Sequence, residues 1–388
     1  MFRRPNFATR VLAGPSMARF STTPSLLAHR AIVYTKNGPP SDVITATTYP
    51  TLPPPQQGWV NVKLLLAPIN PSDVNVVEGV YPSKPSLLSS WTPSGELLKH
   101  PVYPAGNEGL ARVTAVGGGV DGLKEGDRVV ITAQQYGTWA SARTVPSQVV
   151  MKVPETLSDV GAATVSTNPA TAYNMLHSFT DIEDGGWVLQ NGANSAVGQA
   201  VIQIARQRGW KTINFVRSRP DLDDLKERLY ALGADVVLTY DDLADKGLRD
   251  RVKEWTGNKP ISLMLNCVGG KTIPRTVSLL GHGAYVVSYG AMSKEPMPVS
   301  TSSLLFKDVR YHGFWQTGWY KRKSAEDRRA LMKQLAELKL EEPEHEIVTL
   351  SAERTDEEVS ETVKGVIAKM GEGRYGKKVL LSFEDPQD

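Results

Sequence analysis

The chain has 388 residues, 40% of them hydrophobic and 22% charged, with a formal net charge of +3. That length and mix point to two globular domains with sizeable cores and exclude a disordered chain. The small net charge gives no ground for nucleic-acid binding, no stretch approaches the ~20 apolar residues of a membrane span, and the single cysteine, Cys267, can form neither an internal disulfide nor a multi-cysteine zinc lobe.

The first thirty residues carry Arg3, Arg4, Arg10, Arg19 and Arg30 among Ser, Thr and Ala, and the first acid is Asp42. An Arg-rich, acid-free start is the composition of a mitochondrial transit peptide; the alternative is a basic tail with no address. Arg19-Phe20 before Ser21-Thr22-Thr23 resembles a processing site and favours targeting to the mitochondrial matrix, with residues 1–28 as the transit segment.

Short strands follow. Ala31–Tyr34, Trp59–Leu66, Gly109–Val116 and Asp127–Ile131 are predicted as strands, punctuated by Pro53-Pro54-Pro55, Gly117-Gly118-Gly119 and Glu125-Gly126. This is the pattern of a β-rich, barrel-like unit. From about residue 170 strands and helices alternate: strands at 187–190, 212–216, 236–238, 263–267 and 284–288, helices at 197–208, 222–232 and near 243–255. Alternation of that kind predicts an α/β, doubly wound parallel sheet of Rossmann type. An amphipathic helix is expected at 325–338 and a final strand at 377–381. The expected domains are 29–168 with 320–388 as the β-rich catalytic unit, and 169–319 as the Rossmann unit.

Between the strand at 187–190 and its helix lies Asn191-Gly192-Ala193-Asn194-Ser195-Ala196-Val197-Gly198. Small residues let the backbone approach a pyrophosphate, and the helix N-terminus offers its free N–H groups to the charge. Ser195 stands where the middle glycine of the usual fingerprint would be, so the loop alone is weak evidence; its βα context makes it a nucleotide site rather than an ordinary turn. The next strand ends Phe215-Val216-Arg217-Ser218-Arg219, with no acid before Asp221. NAD enzymes place a carboxylate there for the ribose 2′-OH, whereas arginines suit a 2′-phosphate. NADPH is therefore the expected cofactor; the plainer alternative is two solvated loop arginines.

Further segments are Asn70-Pro71-Ser72-Asp73, Gly79-Val80-Tyr81-Pro82, Thr167-Asn168-Pro169-Ala170-Thr171-Ala172-Tyr173, Tyr289-Gly290-Ala291-Met292, Phe314-Trp315 and Gly376-Lys377-Lys378-Val379. In this order they resemble the mitochondrial trans-2-enoyl-thioester reductases of the medium-chain dehydrogenase/reductase superfamily, over about residues 31–383. The resemblance implies a GroES-like β-rich catalytic domain beside the Rossmann domain, and NADPH-dependent reduction of the C2=C3 bond of trans-2-enoyl thioesters in mitochondrial fatty-acid synthesis. It implies Tyr81 as proton donor. It implies cofactor contacts from Asn168, from Asn194, Ser195, Ala196 and Val197, from Arg217, Ser218 and Arg219, from Tyr289, Gly290, Ala291 and Met292, from Phe314, Trp315 and Gln316, and from Lys377 closing the site. For the aromatic residues the alternative is core packing. It also implies a homodimer through the Rossmann sheet edge.

Zinc alcohol dehydrogenases carry Gly-His-Glu where this chain has Gly106-Asn107-Glu108, and the six histidines are scattered. Zinc needs three or four close ligands, so a zinc-free reductase is expected. Polarisation of the substrate then falls to hydrogen bonds and a proton donor. Two rivals remain: an NADPH quinone reductase of the same superfamily, and a non-catalytic NADPH-binding partner protein. The run Trp319-Tyr320-Lys321-Arg322-Lys323, with Arg328 and Arg329, is a basic patch that could steer an acidic acyl carrier protein, or a solvated helix start.

Overall fold

The computed structural model describes residues 28–93, 95–372 and 376–385. The predicted transit segment lies outside the described residues except for Ala28, which already pairs with Pro50 at the start of the strand Ala28–Tyr34.

The sheet of the second unit runs, edge to edge, Val236–Thr239, Lys211–Val216, Trp187–Asn191, Ile261–Asn266, Tyr285–Ser288 and Arg310–Gly313, all parallel. Its central strands are buried on both faces, which is why they read as continuous apolar runs. The helix Ala196–Gln207 lays Val197, Val201 and Ile204 on that sheet, with Met175 and Leu176 from the helix Asn168–Ser178 beside them. Chain order reverses between Trp187–Asn191 and Ile261–Asn266, and at such a reversal a crevice opens beyond the carboxyl ends of the strands. Gly192 and Cys267 follow those two ends.

The β-rich unit holds the strands His345–Leu350, Lys378–Phe383, Trp59–Pro68, Leu110–Val116, Arg128–Ile131 and Val150–Lys152 in that order, with Ala142–Pro146 also on Trp59–Pro68. The C-terminal strand thus returns to pair antiparallel with residues far back in the chain, Leu380 with Pro68 and Leu381 with Ala67. The helix Asp356–Gly371 buries Val359, Val363 and Ile367, one turn apart, against Ile32, Ile44 and Trp139. Buried Arg30 fixes its start by donating from Nε to Asp356 Oδ1 at 2.8 Å.

Among the helices that the sequence reading does not predict are the longer ones Pro71–Glu78, Asn168–Ser178 and Asp356–Gly371. The helix expected near 243–255 divides into a 3-10 turn, Asp241–Ala244, and a helix, Leu248–Thr256, which starts after Gly247. The helix Ala325–Glu337 sends Leu331, Met332 and Leu335 into a core shared with Leu66, Leu110 and Val130 of the β-rich unit. No helix among the described residues is long and apolar enough to cross a membrane.

Candidate active site

The turn after Trp187–Asn191 is built for close approach. Gly192 has φ +60, and a Cβ there would stand 2.5 Å from Cys267 Sγ. At Gly198 a Cβ would meet the Ala193 carbonyl oxygen at 2.5 Å, so only glycine lets the helix seat against its own loop. Ser195 caps the helix, its Oγ accepting from Gly198 N at 3.1 Å. Of the first-turn amides this leaves those of Ala196 and Val197 for an anion. The side chain of Val197 is core, so its contribution to the loop is its backbone. Asn194 accepts at its carbonyl from Gln199 Nε2 at 2.9 Å.

At the far end of the crevice Arg217 and Ser218 are exposed, and Ser218 Oγ donates to Asp241. Arg219 is held in a two-pronged pair by Asp221, from Nε at 2.5 Å and from Nη2 at 2.8 Å. The Tyr240 hydroxyl accepts from Gly192 N at 3.1 Å, and burial pushes its pKa up to about 12. The guanidinium of Arg217 acts on it in the opposite sense.

The segments expected to border the nicotinamide, Tyr289 to Met292 and Phe314 to Gln316, follow the adjacent parallel strands Tyr285–Ser288 and Arg310–Gly313. The Tyr289 hydroxyl is buried beside Cys267 and Ser195 without closing a hydrogen bond of normal geometry to either. Burial, with Cys267 adding to it, holds its pKa well above the usual tyrosine range. Gly290 lies against the Cys267 carbonyl, where a Cβ would come within 3.1 Å, and Met292 N donates to the same carbonyl at 2.9 Å. Ala291 and Met292 are exposed. Phe314 packs edge-on to Phe179 at 6.3 Å, so part of its role is core. Gln316 is buried and accepts at Oε1 from Asn174 Nδ2 at 3.0 Å, while its Nε2 has no protein partner.

Tyr81 reaches this group from the other unit. Trp315 Nε1 donates to the Tyr81 hydroxyl at 2.7 Å, with the rings edge-on at 6.3 Å. An indole N–H is only a donor, so the tyrosine oxygen accepts and its own proton remains to be given elsewhere. Lys321 Nζ sits over the Trp315 ring, 5.3 Å from its centre.

A buried polar cluster that the sequence did not announce joins Asn70, Asp73, Asn107, Glu108 and Asn168. Asn70 Nδ2 donates to Glu108 Oε2 at 3.0 Å, and Asn168 Nδ2 and Lys378 Nζ both donate to Asn70 Oδ1, at 3.4 and 2.5 Å. Glu108 Oε1 accepts from Ser166 Oγ at 3.0 Å and Thr167 N at 2.7 Å. Asp73 Oδ2 accepts from Asn70 N at 2.7 Å, and Asn107 Nδ2 donates to Asp73 Oδ1. Burial raises the pKa of Asp73 to about 7 and raises that of Glu108; it lowers that of Lys378, which the two carboxylates oppose. Zinc does not fit this donor set. The Asn107 amide and the Glu108 carboxylate are committed to protein partners, and no thiol or imidazole joins them. Among the described residues no group of three or more His, Cys, Asp or Glu could hold a metal ion.

Lys377, expected to close the site, is exposed and pairs with Glu344 at 3.2 Å, while its neighbour Lys378 turns inward to Asn70. Successive side chains of an extended segment take opposite faces, so the two lysines meet different surroundings. In the basic patch Tyr320 is buried, donating to the Ser166 carbonyl at 2.9 Å, and only Lys321, Arg322, Lys323 and Arg329 are exposed.

Two family models match the chain: an alcohol dehydrogenase GroES-like domain over residues 56–155 and a zinc-binding dehydrogenase over residues 196–337. The chain is 39% identical, over 358 residues, to the mitochondrial enoyl-acyl-carrier-protein reductase of Yarrowia lipolytica, covering 91% of this chain and 92% of that protein. Among solved structures it is similar to the Etr1p/NADP/crotonyl-CoA complex, with a TM-score of 0.84 at 30% identity over 92% of this chain and 100% of that one. The mitochondrial 2-enoyl thioester reductase heterodimer Etr1p/Etr2p from Candida tropicalis gives a TM-score of 0.83 at 31% identity, with the same coverage.

Proposed function

The chain belongs to the mitochondrial enoyl-acyl-carrier-protein reductases of the medium-chain dehydrogenase/reductase superfamily, and from that premise we propose how its residues divide the work. It is an NADPH-dependent reductase of the C2=C3 bond of trans-2-enoyl thioesters, acting in mitochondrial fatty-acid synthesis. NADPH supplies the hydride when bound. Gly192 and the amides of Ala196 and Val197 receive its pyrophosphate, and Arg217, Ser218 and Arg219 receive the 2′-phosphate. Tyr289, Gly290, Ala291, Met292, Phe314 and Gln316 border the nicotinamide half, with Asn168 at its base.

Reduction at C3 leaves negative charge on the thioester oxygen and a proton to be delivered to C2. No zinc-binding donor set lies here, so a neutral hydroxyl must serve. The observation that carries this reading is the Trp315–Tyr81 hydrogen bond, which sets one hydroxyl of the β-rich unit on the nicotinamide side of the Rossmann unit with its proton free. Residues 29–168 with 320–388 form the substrate side, and 169–319 the cofactor side.

NADPH oxidation followed in parallel with 2-hexenoyl-CoA, with a quinone and with neither tests the activity. Turnover with the enoyl thioester alone is expected. Turnover with the quinone alone would make the chain a quinone reductase, and none with either would make it a non-catalytic NADPH-binding protein.

Three finer assignments belong to the same reading. Acyl carrier protein is a carrier, met by exposed Lys321, Arg322 and Lys323, of which Lys321 lies over Trp315 and Lys323 over Trp319. A homodimer forms along the edge strand Arg310–Gly313, next to which Leu305 and Phe306 are 71% and 78% exposed. The enzyme works in the mitochondrial matrix after loss of its basic leader, which N-terminal sequencing of the organellar protein would reveal.

A further inference from the structure

We infer that Asn107 is a positioning residue that holds the Tyr81 hydroxyl in place by tying both ends of its loop to one carboxamide. The inference rests on Tyr81 being the proton donor.

The backbone of Asn107 is itself fixed. Gly106 before it has φ +90, and a Cβ there would lie 2.4 Å from the Trp139 ring and 2.6 Å from Thr138 Oγ1. From this point the side chain, 7% exposed, reaches in two directions. Its Nδ2 donates to Asp73 Oδ1. Its Oδ1 accepts from Gln135 N at 2.8 Å. A backbone N–H only donates, so Gln135 N takes the carbonyl oxygen of the amide and leaves its NH2 to face Asp73.

The first arm leads to Tyr81 from the N-terminal side. Asp73 lies on the helix Pro71–Glu78, which ends in Gly79 at φ +82. Val80 N and Tyr81 N both donate to the Asn75 carbonyl at 3.1 Å, so Tyr81 is bonded to the end of that helix. Asn37 packs under Gly79 and donates from Nδ2 to Val76 and Val77 carbonyls at 3.1 Å each. Rotation of the helix is therefore rotation of Tyr81.

The second arm leads to Tyr81 from the C-terminal side. Gln135 adopts φ +69, a left-handed conformation that a non-glycine residue keeps only where its surroundings hold it. Its side-chain amide grips Ser83 at both atoms: Nε2 donates to the Ser83 carbonyl, and Ser83 Oγ donates to Oε1 at 3.2 Å. Ser83 is two residues beyond Tyr81. One side chain thus joins the helix before the tyrosine to the clamp after it. No direct contact with the substrate is required.

The test is a double-mutant cycle on kcat with 2-hexenoyl-CoA, using Asn107→Ala, Tyr81→Phe and both together, with NADPH affinity and thermal melting measured alongside. Asn107→Ala should lower kcat about 10–100-fold, the scale set by a misplacement of roughly 1 Å, with NADPH affinity within about twofold of the parent. In the Tyr81→Phe background the same change should lower the remaining kcat by less than about threefold, because there is no longer a hydroxyl to position. An equal factor in both backgrounds, or an unchanged kcat in a folded Asn107→Ala enzyme, overturns the inference. Tyr81→Phe retaining half the parent kcat would instead remove the reading of Tyr81 itself, which the single variant reports separately. Should Asn107→Ala fail to fold, Gln135→Asn takes its place: asparagine tolerates the left-handed backbone but is too short to grip Ser83. It should lower kcat about 3–30-fold, and only when Tyr81 has its hydroxyl; the same fall without the hydroxyl, or no fall, overturns the inference.

Discussion

Replacing Tyr81 by Phe removes one oxygen and keeps the ring. In the folded enzyme that oxygen accepts from Trp315 Nε1 at 2.7 Å, so the substitution strands one indole N–H. Trp315 is 38% exposed, and water can take the vacated place. The stability cost is then below the usual net value of a hydrogen bond, at most about 1 kcal/mol. For a chain of this size that is a shift in Tm of roughly 2–4 °C or less. The kinetic cost follows a different scale. A positioned acid contributes about 10²–10⁴ in rate, or about 2.7–5.4 kcal/mol of barrier. Tyr81→Phe should therefore lose kcat by that factor while NADPH affinity and melting stay near the parent. Trp315→Phe, which keeps the tyrosine and removes only its donor, should lose about 2–10-fold, the worth of one net hydrogen bond. The assay is steady-state NADPH oxidation with 2-hexenoyl-CoA, with fluorescence titration for the cofactor. A Tyr81→Phe enzyme with half the parent kcat refutes the reasoning. The proton would then come from a bound water sooner than from Asn70, whose amide already donates to Glu108.

Replacing Arg217 and Arg219 by Ala should weaken NADPH binding with little effect on NADH, each lost charged contact costing on the order of 1.5–3 kcal/mol; equal affinity of the unaltered enzyme for both cofactors would defeat this. Because Asp221 already occupies Arg219, Asp221→Asn should tighten NADPH binding by up to about fivefold, the worth of an exposed pair, in the same titration. Charge reversal at Lys321 and Arg322 should raise KM for carrier-bound substrate and spare the coenzyme A substrate; an equal change in both would remove the carrier assignment. Phe306→Lys should shift sedimentation toward monomer, and an unchanged dimer would place the interface elsewhere. Asp73 has a folded pKa of about 7, above its unfolded value, so its contribution to stability is fully present at acid pH and is lost as pH rises through about 7. Glu108 shifts in the same sense and Lys378 opposes them. Melting curves from pH 5 to 8 should accordingly fall more steeply for the parent than for Asp73→Asn, and parallel curves would contradict the assignment.

The Rossmann unit was legible because its signals are local. The helix Leu222–Leu232 has the predicted bounds, and Gly233 at φ +108 stops it. The helix Asp356–Gly371 carries signals that are just as local: Thr355 and Glu358 form a capping box, and Val359, Val363 and Ile367 recur at helical spacing. The different surroundings of the lysines at 377 and 378 were not legible, for another reason. A strand's phase decides which of two neighbours faces inward, and that phase is set by pairing with Trp59–Pro68, some three hundred residues away in the chain.

The nucleotide loop and the arginines at 217 and 219 could be read from the residues themselves, but the catalytic side was legible only through the resemblance. Tyr81 and Trp315 stand 234 residues apart, and no periodicity joins them. Position 107 carries the argument furthest. The sequence reveals what is missing there, an imidazole, and says nothing of what the carboxamide does instead. A metal would polarise the substrate by charge and tolerate some looseness in its neighbours. A neutral hydroxyl has only its placement to offer, since a hydrogen bond weakens steeply with angle and distance. An active site that relies on Tyr81 therefore needs its loop held from both ends, and Asn107, with one donor for Asp73 and one acceptor for Gln135, has the atoms to do so.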